Sequence, residues 1–385
     1  MLLGDLGATV LKVEPPEGDA TRAWGPPWVG DVASGTRTAA YYLAINRNKR
    51  SLRLDLRRDD GRAVLRRLLE QGDVVVENFR VGGFERLGFS DDVLRDLNSG
   101  LVHLAISGFG TAGPDAAKPG YDFVIQAVGG LMSITGEPEG RPLKVGVAIS
   151  DVVTGLFGAV AVLGALVGRA ATGEWAATGQ QAATRVDVSL LESTLAVLVN
   201  QAQNAFVTGR APRRRGNAHP SIVPYETFAT ADGEIAVGVG SERQWARLCE
   251  ALGAPELAAD ARFATNGARV EHRPELIPIL GARFASETTA RWLARLDRAG
   301  IPCGPILDVL EAFESPQAQA LGARVPVSHP RLGAVDQVVS AFRLNGERGA
   351  APVAPPLLGE HSREILTEAG FDRAEVDALA AAGVI

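Results

Sequence analysis

Cysteine is scarce in this chain. Cys249 and Cys303 are the only two among 385 residues, and they lie too far apart in sequence to form a metal clip. Two such thiols read as small core hydrophobes, suggest a reducing compartment, and make a cytoplasmic location the expectation. Histidine is equally sparse, and His103, His219, His272, His329 and His361 show no H-x-x-x-H spacing, so no zinc motif is present and no metal is expected. Positive charge is not in excess. With 39 Lys and Arg against 45 Asp and Glu the net charge is −6, which leaves no electrostatic footprint for nucleic acid. The start, "MLLGDLGATVLKVE", has no basic segment, and Asp5 interrupts its apolar run, which excludes a signal peptide.

Long hydrophobic runs are also missing. The nearest approach is "VGVAISDVVTGLFGAVAVLGALVGR", residues 145–169, which Ser150, Asp151 and Thr154 interrupt. After Thr154 only fourteen residues, Gly155 to Gly168, remain, whereas a membrane span needs about 20. A carboxylate held in hydrocarbon would cost about 2.5 kcal/mol or more. The five glycines of the run suit close helix packing in a soluble protein, so no membrane partner is expected.

What the chain does have is length for two domains and, at 46% hydrophobic and 22% charged residues, the composition of a soluble globular protein. Strand-like runs alternate with helical ones: "TVLKVE", "SLRLDL", a helix from Arg62 to Gln71, "DVVVENF", "LVHLAIS". That order argues for α/β architecture with a largely parallel sheet. "LLGDLGA" before "TVLKVE" reads as a helix end, a glycine stop and a strand, as if the chain begins inside a βα unit whose first strand is absent. "TRVDVSLLESTLAVLVNQAQNAF" is a strand running into a long helix, and "RAPRRRGNAHPS" is a basic, turn-rich boundary or functional loop. Beyond it "YETFATADGEIAVGVG" signals a hairpin around Asp232-Gly233, followed by a helix from Glu242 to Leu252. The echo "ATGEWAATGQQAAT" reads as a small loop duplication.

Several motifs invite a function. "GFGTAG", Gly108 to Gly113, fits a dinucleotide fingerprint and follows a strand, but Pro114 and Pro119 prevent the helix that must meet the pyrophosphate. A glycine-rich turn is the better reading. "NRNKRS" places Arg47, Lys49 and Arg50 before a strand, and "RRRG" (Arg213 to Gly216) is a second cationic cluster; both suit anions. "ENFRVGGFERLG" puts Asn78, Phe79 and Arg80 at the carboxyl end of a strand, where open α/β sheets bind ligands. Asp151 differs from all of these. Ser150 or Asp151 is placed to cap the helix starting at Val152, and a helix dipole favours the charged form of a carboxylate there. Such a carboxylate can act as a covalent nucleophile in a preorganised, dry site.

Taken together, "LGATVLKVEPPEGDATR", "NRNKRSLRLDLR", "VVVENFRVGGFERLG", "GYDFVIQAVGGLMSITGEPEGRPLKVGVAISDVVTG" and "PLLGEHSREIL" resemble the class III CoA-transferase family, in the right order and over nearly the whole chain. The resemblance implies that Asp151, within "AISDVVTG", is the nucleophile, forming an aspartyl-CoA thioester, with the CoA thioester as substrate and no tightly bound cofactor. Oxyanion-stabilising N–H donors from a glycine-rich loop are then expected nearby. It further implies CoA contacts from Leu54, Asp55, Leu56 and Arg57, from Asn78, Phe79 and Arg80, from Arg86, and from the stretch Lys118 to Tyr121 with Gly120. In the family a first strand and a CoA-contacting turn precede "LLGDLGA", and a shorter turn stands in place of "ATGEWAATGQQAATRVDVSL".

The racemase branch of that family carries histidine where this chain has Tyr121, between Gly120 and Asp122. Proton transfer on two faces of an α-carbon needs two carriers, so transfer is favoured over the alternative of a racemase-like isomerase. A non-catalytic CoA-binding protein is the other alternative. "GNAHPSIVPYETFATADGEIAVGVGSERQW" resembles the branch acting on dicarboxylic acids, which implies a pocket for a free carboxylate; Arg215, His219 and Tyr225 are the candidates. The expected fold is α/β, a Rossmann-like large CoA-binding domain (residues 1–205) with a smaller α+β domain (216–300) and a segment (301–385) returning to the large one. The resemblance implies an interlocked homodimer, with acyl-CoA and carboxylic acids as the other partners.

Overall fold

The computed structural model describes residues 1–172 and 183–385; the sequence echo within 171–184 falls mostly outside them. Two compact units are present: one of residues 1–125, 148–197 and 313–385, the other of 126–147 and 198–312.

In the first unit the opening helical turn, Leu2–Asp5, stops at Gly7, whose φ of +101° suits glycine. Strand β1 (Val10–Glu14) then pairs in parallel with β2 (Lys49–Arg53). Between them lies the short helix α1 (Ala40–Ile45). Helix α2 (Asp59–Gln71) opens on two aspartates, which suit its N-terminal dipole, and buries Val64, Leu65 and Leu69 against Leu52 and Leu54 of the β2 segment. Strands β3 (Val74–Glu77), β4 (Val102–Ser107) and β5 (Thr184–Ser189) form a second parallel sheet in that order. The parallel α/β pattern expected from the sequence is present, divided between two sheets.

"GFGTAG" follows β4 as a turn, and the next helix, α3, is Asp122–Val128. Gly108 and Gly120 pass so closely that a Cβ on Gly108 would sit 2.6 Å from the Gly120 backbone. Helix α4 (Ile149–Thr172) lies on β4 and β5, burying Val162 and Ala165 with Val102 and Leu104. By length and composition alone, its span from Ile149 to Ala170 would suffice to cross a membrane, a length that the sequence underestimates by discounting everything before Gly155. One face of α4 nevertheless packs on protein, and its first turn is polar.

Residues 313–385 pack in this unit, whereas 301–312 belong to the other. Ile365, Leu366, Val376 and Val384 join the core around Leu52 and Val64. "PLLGEHSREIL" closes the open edge of β2: Ser51 N–H donates to His361 Nδ1 (3.3 Å), His361 N–H to the Ser51 carbonyl (3.1 Å) and Arg53 N–H to Ser362 Oγ (3.1 Å). A buried cluster ties further segments together. Asp5 accepts from Arg47 Nε (3.0 Å), Asn48 (2.8 Å) and Ser340 (2.7 Å). Burial alone would raise the Asp5 carboxyl; these donors, Arg47 first, hold it below its usual range. Arg47, a candidate anion contact in the sequence, is therefore a buried structural cation. Sequence proximity to Lys49 and Arg50 had suggested otherwise.

In the second unit, β6 (Tyr225–Ala229) and β7 (Glu234–Gly238) make the expected hairpin, closed by Thr230 N–H to the Gly233 carbonyl (2.9 Å). Helices α5 (Glu242–Ala251) and α6 (Thr289–Ala299) bury Trp245, Leu248, Trp292 and Leu296 around it. Residues 126–147, placed with the large domain by the sequence, pack here instead. Arg214 donates to the carbonyls of Glu137 (3.3 Å) and Gly140 (2.7 Å), and Gly216 N–H to the Gly136 carbonyl (3.0 Å).

Candidate active site

The amide groups that open α4 show how Asp151 is held. Ser150 N–H donates to Asp122 Oδ1 at 2.8 Å, and Val152 N–H donates to the Ala148 carbonyl at 3.0 Å. The cap acceptor for Ser150 is thus a side chain from α3, not Ser150 or Asp151 as the sequence suggested. Ser150 is itself buried and fixed from behind by Thr194 Oγ1, 2.8 Å from its Oγ, while Thr154 Oγ1 donates to its carbonyl (2.7 Å). Both threonines are buried. Asp151, third residue of the helix, is consequently on a rigid turn, and among the described residues nothing forms a hydrogen bond or ion pair with its carboxylate.

Helix α4 is not buried all round: Asp151, Leu156, Val160 and Val167 are exposed in the isolated chain. Nor does the dipole prevail over the surroundings. Partial burial of the carboxyl, and then the charge of Asp122, push the Asp151 pKa up to about 6. A carboxylate with that pKa is still ionised at neutral pH, and is more basic than an ordinary aspartate.

The CoA-contact candidates gather at strand ends. Leu54 to Arg57 follow β2, Asn78 to Arg80 follow β3, and Lys118 to Tyr121 lie in the loop after β4. These are the carboxyl ends of parallel strands, the ligand-binding edge of open α/β sheets. Their states differ. Leu54 is in the core, with its N–H donated to the Glu14 carbonyl (2.7 Å), so its side chain is unavailable; Leu56 packs on the same core. Arg57 is exposed but occupied, with Nε 2.7 Å from Asp55 and Nη1 3.1 Å from Glu17; its hydrogen bonds keep the Asp55 carboxyl below the usual range. Lys118 is held by Asp115 at 2.6 Å. Arg80 and Arg86 are exposed with no carboxylate partner among the described residues, and beside them Phe79, 43% exposed, stacks on Phe84 at 5.9 Å. Two uncommitted guanidiniums beside an exposed aromatic face suit a phosphate-bearing nucleotide. Asn78, Gly120 and Tyr121 lie at the same strand ends, Tyr121 largely exposed.

In the other unit, His219 and Tyr225 come together: their rings are 5.4 Å apart and His219 N–H donates to the Tyr225 carbonyl (2.9 Å). His219 Nδ1 accepts the Ser221 N–H at 3.0 Å, which leaves the proton of neutral His219 on Nε2. Burial and then Arg273 lower its pKa, favouring that neutral form. Arg273 pairs with Glu226 at 2.7 Å and bonds the Ile222 carbonyl at 3.2 Å, fixing the loop. Arg215 is exposed and near enough to depress Arg273 further. Of the other arginines in that cluster, Arg214 is committed to the carbonyls described above. Among the described residues no group of three or more His, Cys, Asp or Glu is arranged to hold a metal ion.

Asp122 had no assigned role in the sequence. It was visible only as the last residue of "GYD", and nothing in its spacing signals that it caps a helix 28 residues away.

Residues 1–362 match CoA-transferase family III. The succinate–glutarate CoA-transferase of Agrobacterium fabrum is 42% identical over 368 residues, 95% of this chain and 90% of that one. The human succinyl-CoA:glutarate CoA-transferase is 38% identical, covering 100% of this chain and 85% of that one. A CAIB/BAIF family protein from Brucella suis, known as a crystal structure, superposes with a TM-score of 0.81 at 41% identity, covering 95% and 93% of the two chains. The chain belongs to CoA-transferase family III. It is an enzyme that transfers CoA, with CoA thioesters as substrates.

Proposed function

We propose that this enzyme moves CoA between dicarboxylic acids through a thioester on Asp151, with succinyl-CoA or a similar dicarboxylyl-CoA as donor. The observation that carries the chemistry is the state of Asp151: an uncommitted carboxylate on a rigid helix turn, with its pKa raised to about 6. The ionised oxygen attacks the donor thioester carbonyl and expels CoA thiolate, giving a mixed anhydride. The thiolate attacks the aspartyl carbonyl, releasing the donor acid and leaving aspartyl-CoA. An acceptor carboxylate attacks that thioester, expels the thiolate again, and receives CoA when the thiolate attacks its own acyl carbon, which returns Asp151 as a carboxylate. Atoms and charge balance without metal or redox partner.

The dicarboxylate preference is supported by the relatives, whose names specify succinate, succinyl-CoA and glutarate. Arg215, with neutral His219 as an Nε2–H donor and Tyr225 beside it, is a fitting donor set for a free carboxylate. Arg80 and Arg86, with Phe79 and Asn78, are proposed for the CoA nucleotide, and Arg57, Lys118, Gly120 and Tyr121 for the rest of CoA. The test is an acceptor panel with succinyl-CoA. Glutarate and other dicarboxylates are expected to outrun acetate and butyrate in kcat/KM, and equal rates would overturn the preference.

The chain is also proposed to work as a homodimer. Val152, Leu156, Val160 and Val167 recur along one exposed face of α4, an apolar surface that a second copy would cover. Light scattering after size exclusion is expected to give twice the 40.4 kDa chain mass; a monomer would contradict it.

A further inference from the structure

The second parallel sheet has an apolar face and a polar one. Val102, Leu104 and Val186 join the core beneath α4. By strand alternation and register, His103 of β4, Glu77 at the end of β3 and Arg185 of β5 share the opposite face. None of these three enters the chemistry above. His103 is only 3% exposed, and each of its ring nitrogens faces a carboxylate: Nδ1 lies 3.3 Å from Asp91 Oδ1 and Nε2 lies 3.6 Å from Glu77 Oε1. Arg185 Nη1 holds Asp91 from its other side, at 2.9 and 3.1 Å. Glu77 is thus confined at one oxygen. Its other oxygen, Oε2, accepts the Phe79 N–H at 2.6 Å, a charge-assisted bond to the backbone two residues ahead. Ring contacts make the same connection again, since Phe84 packs on His103 (centroids 5.5 Å apart) and on Phe79 (5.9 Å). The turn that follows is tight: Gly83 N–H donates to the Arg80 carbonyl at 2.6 Å, and Gly82 has a φ of +76°.

We propose that Glu77 is a positioning residue for CoA. Held by His103, its carboxylate fixes the Phe79 backbone and so the direction in which Phe79 and Arg80 meet the nucleotide. The same bond directs inward the carboxylate nearest to Arg80 in sequence, and Arg80 keeps its charge for a phosphate. A turn already fixed in the free enzyme loses less freedom when the ligand arrives, which strengthens binding without a new contact. This rests on Asn78 to Arg80 being CoA contacts.

Glu77→Ala removes the acceptor, whereas Glu77→Gln retains one. Glu77→Ala is expected to raise KM for succinyl-CoA, and the Kd of free CoA by calorimetry, by about tenfold. Its kcat should fall by less than about threefold, because the loss is in binding that ground and transition states share. Glu77→Gln should restore both constants to within about threefold of wild type, a rescue that isolates the acceptor. His103→Phe keeps a ring beside Phe84 and removes both nitrogens; it should raise KM by about threefold or more with kcat held. Acting through the turn, Glu77→Ala should weaken CoA binding less in an Arg80→Ala background than alone. Wild-type KM in Glu77→Ala, Glu77→Gln as impaired as Glu77→Ala, or full additivity with Arg80→Ala would overturn the proposal. Should Glu77→Ala not fold, His103→Phe decides, and wild-type KM there overturns it. Arg80→Ala separates the two readings. Raised KM in Arg80→Ala beside wild-type KM in Glu77→Ala refutes only the role of Glu77; wild-type KM in Arg80→Ala refutes the nucleotide assignment and the proposal with it.

Discussion

Asp122 Oδ1 accepts the backbone N–H of Ser150 at 2.8 Å, so one carboxylate caps the helix on which a second one is presented. The two charges are in electrostatic contact, and Asp122 contributes, after burial, to the elevated pKa of Asp151. Asp122→Asn keeps an acceptor for Ser150 and removes the charge. The Asp151 pKa should fall from about 6, shifting the acidic limb of kcat/KM to lower pH. A pH–rate profile checks it; an unmoved limb would show that the charge of Asp122 is not felt.

Stability carries the same signature with a definite sign. Asp151 has a folded-state pKa near 6, above the about 3.9 of an unfolded aspartate. The folded chain therefore holds the proton more tightly, and the corresponding stability is complete below about pH 4 and lost as pH rises through about 6. Asp151→Asn lacks that loss. Its Tm relative to wild type should climb between pH 4 and pH 7 and then level off. A Tm difference independent of pH would contradict the raised pKa.

The cations after the strands should not be equivalent. Arg80 and Arg86 are uncommitted, so Arg80→Ala or Arg86→Ala is expected to raise KM for the CoA thioester by about tenfold, with kcat less affected. Arg57 is already paired with Asp55 and Glu17, and Arg57→Ala should raise it by less. Steady-state kinetics at two salt concentrations measures both, and Arg57→Ala as the most damaging of the three would reverse the assignment.

Arg47 is expected to matter for folding alone. Arg47→Ala leaves Asp5 buried among Asn48 and Ser340 without its cation, which costs about 3 kcal/mol. Denaturant unfolding should show a lower midpoint with an unchanged KM for the CoA thioester in the remaining folded enzyme. A selective rise in KM at full stability would return Arg47 to the substrate.

The strand and helix order was legible because most elements carry a local signal: apolar runs in β3 and β4, Asp232-Gly233 in the hairpin; helix α2, read from Arg62, begins three residues earlier at Asp59. The segment around Asp151 was legible for the same reason, as one ionisable residue inside an apolar helix. What local signals did not reveal was partnership. Arg47 meets Asp5 across 42 residues and Ser150 meets Asp122 across 28, and the composition of neither segment announces the other. The pKa of Asp151 was misjudged for that reason. The helix dipole is visible in sequence, whereas the burial and the opposing carboxylate exist only in three dimensions. Residues 126–147 were likewise assigned by chain order, although their hydrogen bonds lie with Arg214 and Gly216.

The most direct test of the central claim is the intact mass of the enzyme after brief exposure to succinyl-CoA, with and without hydroxylamine, beside Asp151→Asn. A CoA-sized gain on wild type alone, replaced by a hydroxamate-sized gain when hydroxylamine is present, is the predicted result. Transfer activity with no adduct on wild type, or an adduct of the same size on Asp151→Asn, would contradict an aspartyl-CoA intermediate at Asp151.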